Sequence, residues 1–295
     1  SAQDAPVFQA EVSRVHVDAE VLTPAGRVVT ALTSKDFRIY DEGTEQRILA
    51  CRTDEEPLDI ILLLDKSGSM RRAPQKLATA AHSAFAELRS GDRVALMTFD
   101  SSGRLVSPFT QDLQSIERDL QALVTNRLEG DTRIHQAVDD AAHYFLQEPR
   151  TQRRRTILII TDNVGTRTVS EAHVVNDLWE ADAVLSGVIF NQPGFEVRRA
   201  IVAVLAPYAL IRAGKGIGHM TDKTGGDTIH VEEPGTAFAE MMRRIRSRYS
   251  LYYATPEGKP GSFRSIRVQL APEPQKLYPG ARILARRGYR LQGSR

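Results

Sequence analysis

The sequence predicts an α/β protein with a doubly wound, mainly parallel sheet, helices on both faces, and a β-sandwich formed by the N- and C-terminal flanks. Two observations support this. Apolar runs of strand length at 58–65 and 156–162 indicate strands buried on both faces, as in a parallel sheet covered by helices. Strand and helix patterns also alternate along the central part of the chain, which is the order of repeated β-α units.

Residues 1–57 are expected to form the first part of the β-sandwich. Apolar and polar residues alternate from Val15 to Val21, which fits a strand with one buried face. The segments 37–40 and 47–50 flank Asp41-Glu42-Gly43, which indicates a hairpin. Pro57 marks the predicted boundary with the central unit.

Residues 58–247 carry the alternating pattern. After the first apolar strand, further strands are predicted at 93–99, 105–109, 156–162, 183–190 and 227–231. Apolar residues at helical spacing predict helices at 77–88, 112–124, 134–145, 170–179, 197–206 and 238–245. Ser170 is a suitable N-cap for the helix that reaches Trp179.

Residues 248–295 return to β character and are expected to form the second part of the β-sandwich. Their predicted strands at 249–253, 263–270 and 281–285 are separated by segments with Pro and Gly. Because β segments stand at both ends of an α/β unit, we expect the two ends to pair, with the central unit inserted between them.

Composition excludes several classes of function. The 295 residues are 41% hydrophobic, enough for a sizeable core, and the net charge of +2 argues against a nucleic-acid partner. No apolar run approaches the roughly 18 residues of a membrane span. Cys51 is the only cysteine, which excludes an internal disulfide and a thiolate metal cluster. The start at Ser1 is typical of a mature or trimmed chain.

The first apolar strand ends in a group of oxygen-bearing side chains. Asp65 is followed by Ser67 and Ser69 at alternate positions. Ligands of open α/β sheets bind at the carboxyl ends of the strands. Carboxylate and hydroxyl oxygens suit Mg²⁺, Mn²⁺ or Ca²⁺ better than zinc or copper, so the sequence predicts a site for a hard divalent cation.

With two later segments, this loop resembles the von Willebrand factor type A domain over roughly residues 58–247. The metal-ion-dependent adhesion site of that family uses an Asp-x-Ser-x-Ser loop, a distant Thr and a distant Asp. The matching residues in this sequence are Asp65, Ser67, Ser69, Thr132 and Asp162. Asn163 stands where many relatives have Gly. The segments 36–43 and 285–289 are similar to the β flanks of this domain in a group of bacterial, often acidobacterial, proteins.

The resemblance implies a Rossmann-like fold for residues 58–247 and a binding role without catalysis. The five matching residues would hold Mg²⁺, with Mn²⁺ or Ca²⁺ as alternatives, and the ion would take an Asp or Glu carboxylate from a protein partner. Selectivity would come from Arg71-Arg72, the Asp100–Gly103 hairpin, Arg133 and the loop at 191–195. The resemblance also implies export to the bacterial periplasm or cell surface. The sequence does not determine the oligomeric state.

Other interpretations stay open at this point. One is an envelope scaffold or assembly protein in which the sandwich makes the contacts and the metal site is not essential. A second is a hydrolase that uses the metal or Ser67, although no Gly-x-Ser-x-Gly elbow surrounds that serine. A third is a type A subunit that assists an ATP-driven or metal-insertion machine.

Several charged and glycine-rich segments are expected to have ordinary structural roles. His82, His135 and His143 are interpreted as helix-surface or packing residues, with His135 close enough to Thr132 to be a rim candidate. The run at 153–155 is interpreted as a solvated edge far from the metal, and the C-terminal arginines as outward-facing strand residues. The glycines of 214–218 indicate a connector, because no strand and no Gly-Lys-Ser/Thr ending accompany them.

Overall fold

The computed structural model describes residues 13–53, 56–67, 70, 73–123, 132–166, 168–190, 216–231 and 234–291. Its strands, in chain order, are β1 Arg14–Leu22, β2 Phe37–Asp41, β3 Thr44–Gln46, β4 Ile48–Thr53, β5 Leu58–Asp65, β6 Arg93–Phe99, β7 Gly103–Thr110, β8 Arg154–Thr161, β9 Ala183–Phe190, β10 Thr228–Val231, β11 Tyr249–Ala254, β12 Phe263–Leu270, β13 Arg282–Ala285 and β14 Gly288–Arg290. Its helices are α1 Ala73–Phe85, α2 Leu113–Leu123, α3 Ile134–Gln147, α4 Glu171–Glu180, α5 Gly218–Thr224, α6 Pro234–Arg246 and α7 Pro272–Leu277, and a short 3-10 helix covers Ser34–Asp36.

The central sheet has the strand order β10-β9-β8-β5-β6-β7 in the described chain. Its neighbouring strands run parallel except β7, which pairs antiparallel with β6. The two apolar runs, β5 and β8, lie side by side, and every residue of both is buried. The predicted doubly wound, mainly parallel fold is confirmed.

Alternate residues of β5 belong to two different cores, because successive side chains of a strand point to opposite faces of the sheet. Ile60 and Leu62 pack with apolar residues of α1, α2 and α6. Ile61 and Leu63 pack with those of α3, α4 and α5. Helices therefore cover both faces, which explains why this strand is an unbroken apolar run rather than an alternating one.

Two antiparallel sheets come from the ends of the chain, with the orders β13-β1-β11-β4 and β14-β12-β2-β3. β1 pairs with β11 from Arg14 opposite Ala254 to Ala19 opposite Tyr249, so the two ends of the chain pair as expected. Apolar residues of both sheets form one common core. The proposed boundaries at residues 57 and 247 stay a prediction.

One hairpin prediction is wrong in part. β2 turns back through Glu42 and Gly43, both with positive φ, but its partner is β3 rather than the segment at 47–50. The chain then crosses into the other sheet, where β4 pairs with β11. The alternation of apolar residues indicated the strand but not which sheet it joins.

The interpretation of the arginine run as a solvated edge is also wrong. Arg154 and Arg155 are buried. Arg154 donates to Asp18 Oδ2 at 2.9 Å and to the carbonyl of Ile245 at 2.8 Å, and Arg155 donates to the carbonyl of Ala181 at 3.2 Å. These acceptors satisfy the hydrogen bonds of the buried guanidinium groups. Because they come from distant parts of the chain, the sequence alone does not show that they lie near the arginines.

Two helices were not predicted. α5 begins at Gly218, the last residue of the glycine-rich segment at 214–218, and α7 follows β12 with Pro272 at its start. The helix predicted at 197–206 lies outside the described residues. Within the described part of the chain, no helix is long and apolar enough to cross a membrane.

Candidate metal centre

Asp65 is the last residue of β5 and is almost completely buried, with 2% of its surface exposed. Its Oδ1 accepts a hydrogen bond from the amide of Ser67 at 2.8 Å, and its Oδ2 accepts one from the hydroxyl of Thr161 at 2.6 Å. The carbonyl of Ser67 accepts from the amide of Met70 at 2.9 Å, which turns the chain toward α1. The backbone at Ser67 therefore turns back onto the Asp65 carboxylate.

Asp162 follows the neighbouring strand. Leu64 of β5 pairs with Ile160 of β8, so the two parallel strands end side by side and bring both carboxylates to one edge of the sheet. Asp162 is 9% exposed, and its Oδ1 accepts from the amide of Val164 at 3.0 Å. Asn163 has φ +60°, a backbone region that Asn tolerates better than most residues.

Thr132 lies on a third segment, directly before α3, and is 8% exposed. Its carbonyl accepts a hydrogen bond from the amide of Thr166 at 2.8 Å, which joins this segment to the loop after β8. A Cβ on Gly165 would lie 2.5 Å from the same carbonyl, so glycine permits the close approach. The amide of Arg133 donates to the carbonyl of Asp100 at 2.9 Å.

The electrostatics of this edge are unfavourable for two bare carboxylates. Burial raises the pKa of Asp65 to about 6, and the nearby Asp162 carboxylate adds to the rise. Hydrogen bonds from Thr161 and Ser67 act in the opposite direction because they favour the charged form. A divalent cation between the carboxylates would reverse their repulsion.

The described residues place four of the five predicted ligands at one site. Asp65, Ser67, Thr132 and Asp162 lie on three segments that hydrogen bonds connect. Ser69 lies outside the described residues, as do Arg71, Arg72 and the loop at 191–195. The side chains all offer oxygen, the donor that hard divalent cations prefer. Whether they hold an ion stays a proposal.

Sequence reasoning missed the residues that hold the ligands in place. Thr161 donates to Asp65, and its hydroxyl also accepts from the amide of Asn163 at 3.0 Å. The side chain of Asn163 accepts from the amide of Ile217 at 3.0 Å, which ties the loop to the start of α5. The sequence signal for the role of Thr161 was a hydroxyl residue directly before an acid at the end of a strand. His135 is buried rather than on the rim.

The part of the chain that holds this site also matches a known family. The model described as the von Willebrand factor type A domain matches residues 60–165, a range that contains all five predicted ligand positions.

Residues 60–165 belong to the von Willebrand factor type A family.

Solved structures similar to this chain share little sequence with it. An aerotolerance-related membrane protein from Bacteroides fragilis is 16% identical, with a TM-score of 0.46 over 64% of this chain and 98% of its own. A von Willebrand factor type A protein from Catenulispora acidiphila is 12% identical, with a TM-score of 0.47 over 96% of this chain and 74% of its own. The manganese-loaded TRAP protein of Plasmodium vivax is 14% identical, with a TM-score of 0.46 over 80% of this chain and 98% of its own. No curated protein matches the chain.

Proposed function

We propose that the type A domain is a metal-dependent, adhesion-type module for binding proteins. In this proposal Asp65, Ser67, Ser69, Thr132 and Asp162 hold Mg²⁺, with Mn²⁺ or Ca²⁺ as alternatives. The observation that carries the proposal is the pair of buried carboxylates, Asp65 and Asp162, at the adjacent ends of two parallel strands. A cation compensates the cost of burying two neighbouring negative charges.

The donor set supports a hard, hydrated ion. The proposed ligand set combines neutral hydroxyls with two carboxylates, and the carboxylate of Asp65 already accepts two hydrogen bonds. Low ligand charge suits Mg²⁺, which keeps several waters and binds through one or two carboxylates. When bound, the ion would supply an electrophilic position for an Asp or Glu carboxylate of a protein partner.

The surroundings of the site would then select the partner. The β6–β7 turn is fixed to α3, because the amide of Gly103 donates to Asp140 Oδ2 at 2.6 Å and the amide of Arg133 donates to the carbonyl of Asp100 at 2.9 Å. Gln136 holds the other oxygen of Asp140 at 2.9 Å. This rigid turn and Arg133 form one side of the proposed contact surface, so its shape and charge would set specificity around one ionic contact.

The proposal assigns no catalytic step to the protein. It places the protein in the bacterial periplasm or on the cell surface, where a module of this kind would reach partners outside the cytoplasm. A single cysteine agrees with export but does not require it.

A metal-dependent capture experiment tests the proposed function. The protein is immobilised and exposed to extracts of the native organism in Mg²⁺ or in EDTA, with Asp65→Ala as the matched variant. We expect a partner that binds wild type only in Mg²⁺ and does not bind the variant. A partner retained equally in EDTA and by Asp65→Ala would contradict the proposal and would favour a scaffold role for the flanking sheets.

A further inference from the structure

A second group of metal-ligating side chains lies between α3 and α4. α3 carries Asp139 and His143, and α4 carries His173 and Asp177, so each helix presents one acid and one histidine four residues apart. Residues at this spacing lie on the same face of a helix. One ligand atom each of Asp139, His143 and Asp177 lies within 4.8 Å of the other two.

The four side chains form a closed ring in which acids and histidines alternate. The nitrogen–oxygen distances around it are 3.7 Å from His143 Nδ1 to Asp139 Oδ2, 3.6 Å from His143 Nε2 to Asp177 Oδ2, 3.6 Å from His173 Nε2 to Asp177 Oδ2, and 3.8 Å from His173 Nε2 to Asp139 Oδ1. These distances exceed those of hydrogen bonds. Three of them, which join His143 Nε2 or His173 Nε2 to a carboxylate oxygen, are close to the roughly 3.3–3.6 Å that separates neighbouring donors around a tetrahedral ion with ligand distances of about 2.0–2.2 Å.

The orientation of His143 is that of a metal ligand. Its Nδ1 lies 2.9 Å from the carbonyl oxygen of Asp139 and must donate to it, because a carbonyl only accepts. In the neutral ring, Nε2 then carries a lone pair, and it faces Asp177 Oδ2. A histidine that binds metal through one nitrogen typically donates the other N–H to a backbone carbonyl or carboxylate.

Asp139 supplies an independent observation. Its side chain is only 8% exposed, and its Oδ1 has no hydrogen-bond partner in the described part of the chain. Burial raises the pKa of Asp139 and the neighbouring Asp177 carboxylate raises it further, while His143 and His173 oppose the rise. The buried Oδ1 faces His173 Nε2 at 3.8 Å, too far for a hydrogen bond, and a buried carboxylate oxygen without a hydrogen bond is costly unless a cation binds it.

We propose that Asp139, His143, His173 and Asp177 bind a divalent transition-metal ion of the zinc class that clamps α3 to α4. Two imidazole nitrogens and two carboxylate oxygens form a four-coordinate set that zinc accepts, whereas Mg²⁺ prefers oxygen alone. Two carboxylates and two neutral imidazoles carry a total charge of −2, which one divalent ion neutralises. This site is separate from the oxygen site at Asp65 and does not depend on the proposed function.

A zinc titration followed by calorimetry tests this proposal. The parent for the titration is Asp65→Ala, which removes an acid from the oxygen site so that zinc binding there does not confuse the result. We expect the parent to bind one Zn²⁺. Adding His143→Ala or His173→Ala should weaken zinc binding by about 100-fold or more. The loss of a residue that only hydrogen-bonds to a metal ligand already lowers metal affinity by about 10–100-fold.

The matched control is His82→Ala, which removes an exposed histidine on α1, far along the chain from the ring. It should leave zinc affinity unchanged. His143 and His173 are half exposed, so their replacement should leave the fold intact, which far-ultraviolet circular dichroism checks. If Asp65→Ala does not fold, wild type in excess Mg²⁺ replaces it as the parent. The proposal is overturned if the parent binds no zinc, or if both histidine variants bind zinc as tightly as the parent.

Discussion

At the scale of single residues, Asp65 is the side chain on which the candidate site depends. It is buried, accepts hydrogen bonds on both oxygens, and lies next to a second acid. The strand and the positions of its terminal acid and the later candidate ligands could be predicted from the sequence because an apolar run, a fixed spacing and a family pattern all point to them; that they bind an ion stays a prediction. The role of Asn163 could not be predicted, since it depends on how the loop after β8 meets α5. Thr161 had a signal, a hydroxyl residue directly before the strand-terminal acid, but its partner Asp65 is known only from the fold.

The hydroxyl of Thr132 gives a test at this scale. Thr132→Val keeps the shape of the side chain but removes its oxygen. We expect it to weaken binding of Mg²⁺ or Mn²⁺ by about tenfold or more, because even the loss of a residue that only hydrogen-bonds to a metal ligand has an effect of this size. Thr132→Ser keeps the oxygen and should bind the ion nearly as well as wild type. Calorimetric titration measures both affinities, and equal affinities for the two variants would remove Thr132 from the site.

At the scale of secondary-structure elements, α3 and its preceding segment serve both candidate sites. Thr132 lies two residues before the helix, Asp140 holds the β6–β7 turn, and Asp139 and His143 face α4. The helix itself could be predicted from its apolar spacing. The ring with α4 was not predicted, because only the fold shows that α3 and α4 are neighbours. The signal in the sequence was an acid and a histidine four residues apart on each of two helices.

Gly165 gives a test of how the loops are held together. In Gly165→Ala the new Cβ would meet the carbonyl of Thr132 at 2.5 Å, so the two segments must separate. We expect weaker Mg²⁺ binding and a lower unfolding midpoint, with a loss of stability of about 1–3 kcal/mol, typical of overpacking.

Gly218→Ala is the matched control for that substitution. Among the described residues, and apart from its own chain neighbours and helix backbone, nothing lies within 4 Å of a Cβ at Gly218, the first residue of α5. Its effect on Mg²⁺ affinity and stability should be small, within about 0.5 kcal/mol. Equal behaviour of the two variants in calorimetric titration and urea unfolding would show that the contact of Gly165 with Thr132 does not position the site.

At the scale of the whole molecule, buried charges connect the type A domain with the flanking sheets. Asp18 of β1 accepts from Arg154 of β8 and from Arg248, which directly precedes β11. Arg248 also donates to Glu20 Oε2 at 3.1 Å. The pairing of the two chain ends could be predicted from the composition shift. These ion pairs could not, because a run of arginines is most simply explained as solvated until its distant acids are known.

Glu20 makes the stability of the molecule depend on pH. Burial raises its pKa to about 7; Asp227 and Asp18 add to the rise, while Arg248 and Arg244 oppose it. Because the pKa in the folded state is above the ordinary value of 4.5, the protonated acid favours folding. This contribution is complete below about pH 4.5 and is lost as the pH rises through about 7.

Urea unfolding of wild type and Glu20→Gln in EDTA at pH 5 and pH 8 measures this contribution. Gln does not titrate, so wild type should lose roughly 2–3 kcal/mol more than the variant between these two pH values. Arg154 and Arg248 lower the pKa of Asp18 in spite of its burial. The stability that Asp18 contributes is therefore lost only at pH values below the range of 5 to 8. Other titrating groups, including Asp65, are common to both proteins and cancel in the comparison. Parallel losses of stability would rule out Glu20 as the source.

The central claim is that the site at Asp65 binds a divalent cation, and one measurement tests it most directly. It is the unfolding midpoint of wild type and Asp65→Asn as a function of Mg²⁺ or Mn²⁺ concentration. An ion present at 100 times its dissociation constant stabilises the folded protein by about 2.7 kcal/mol, which should raise the wild-type midpoint by roughly 5 °C or more. Asp65→Asn removes one of two neighbouring buried charges, so in EDTA it should be at least as stable as wild type and should not respond to either ion. A wild-type midpoint that does not change with any divalent cation, or an equal rise in Asp65→Asn, would contradict the account.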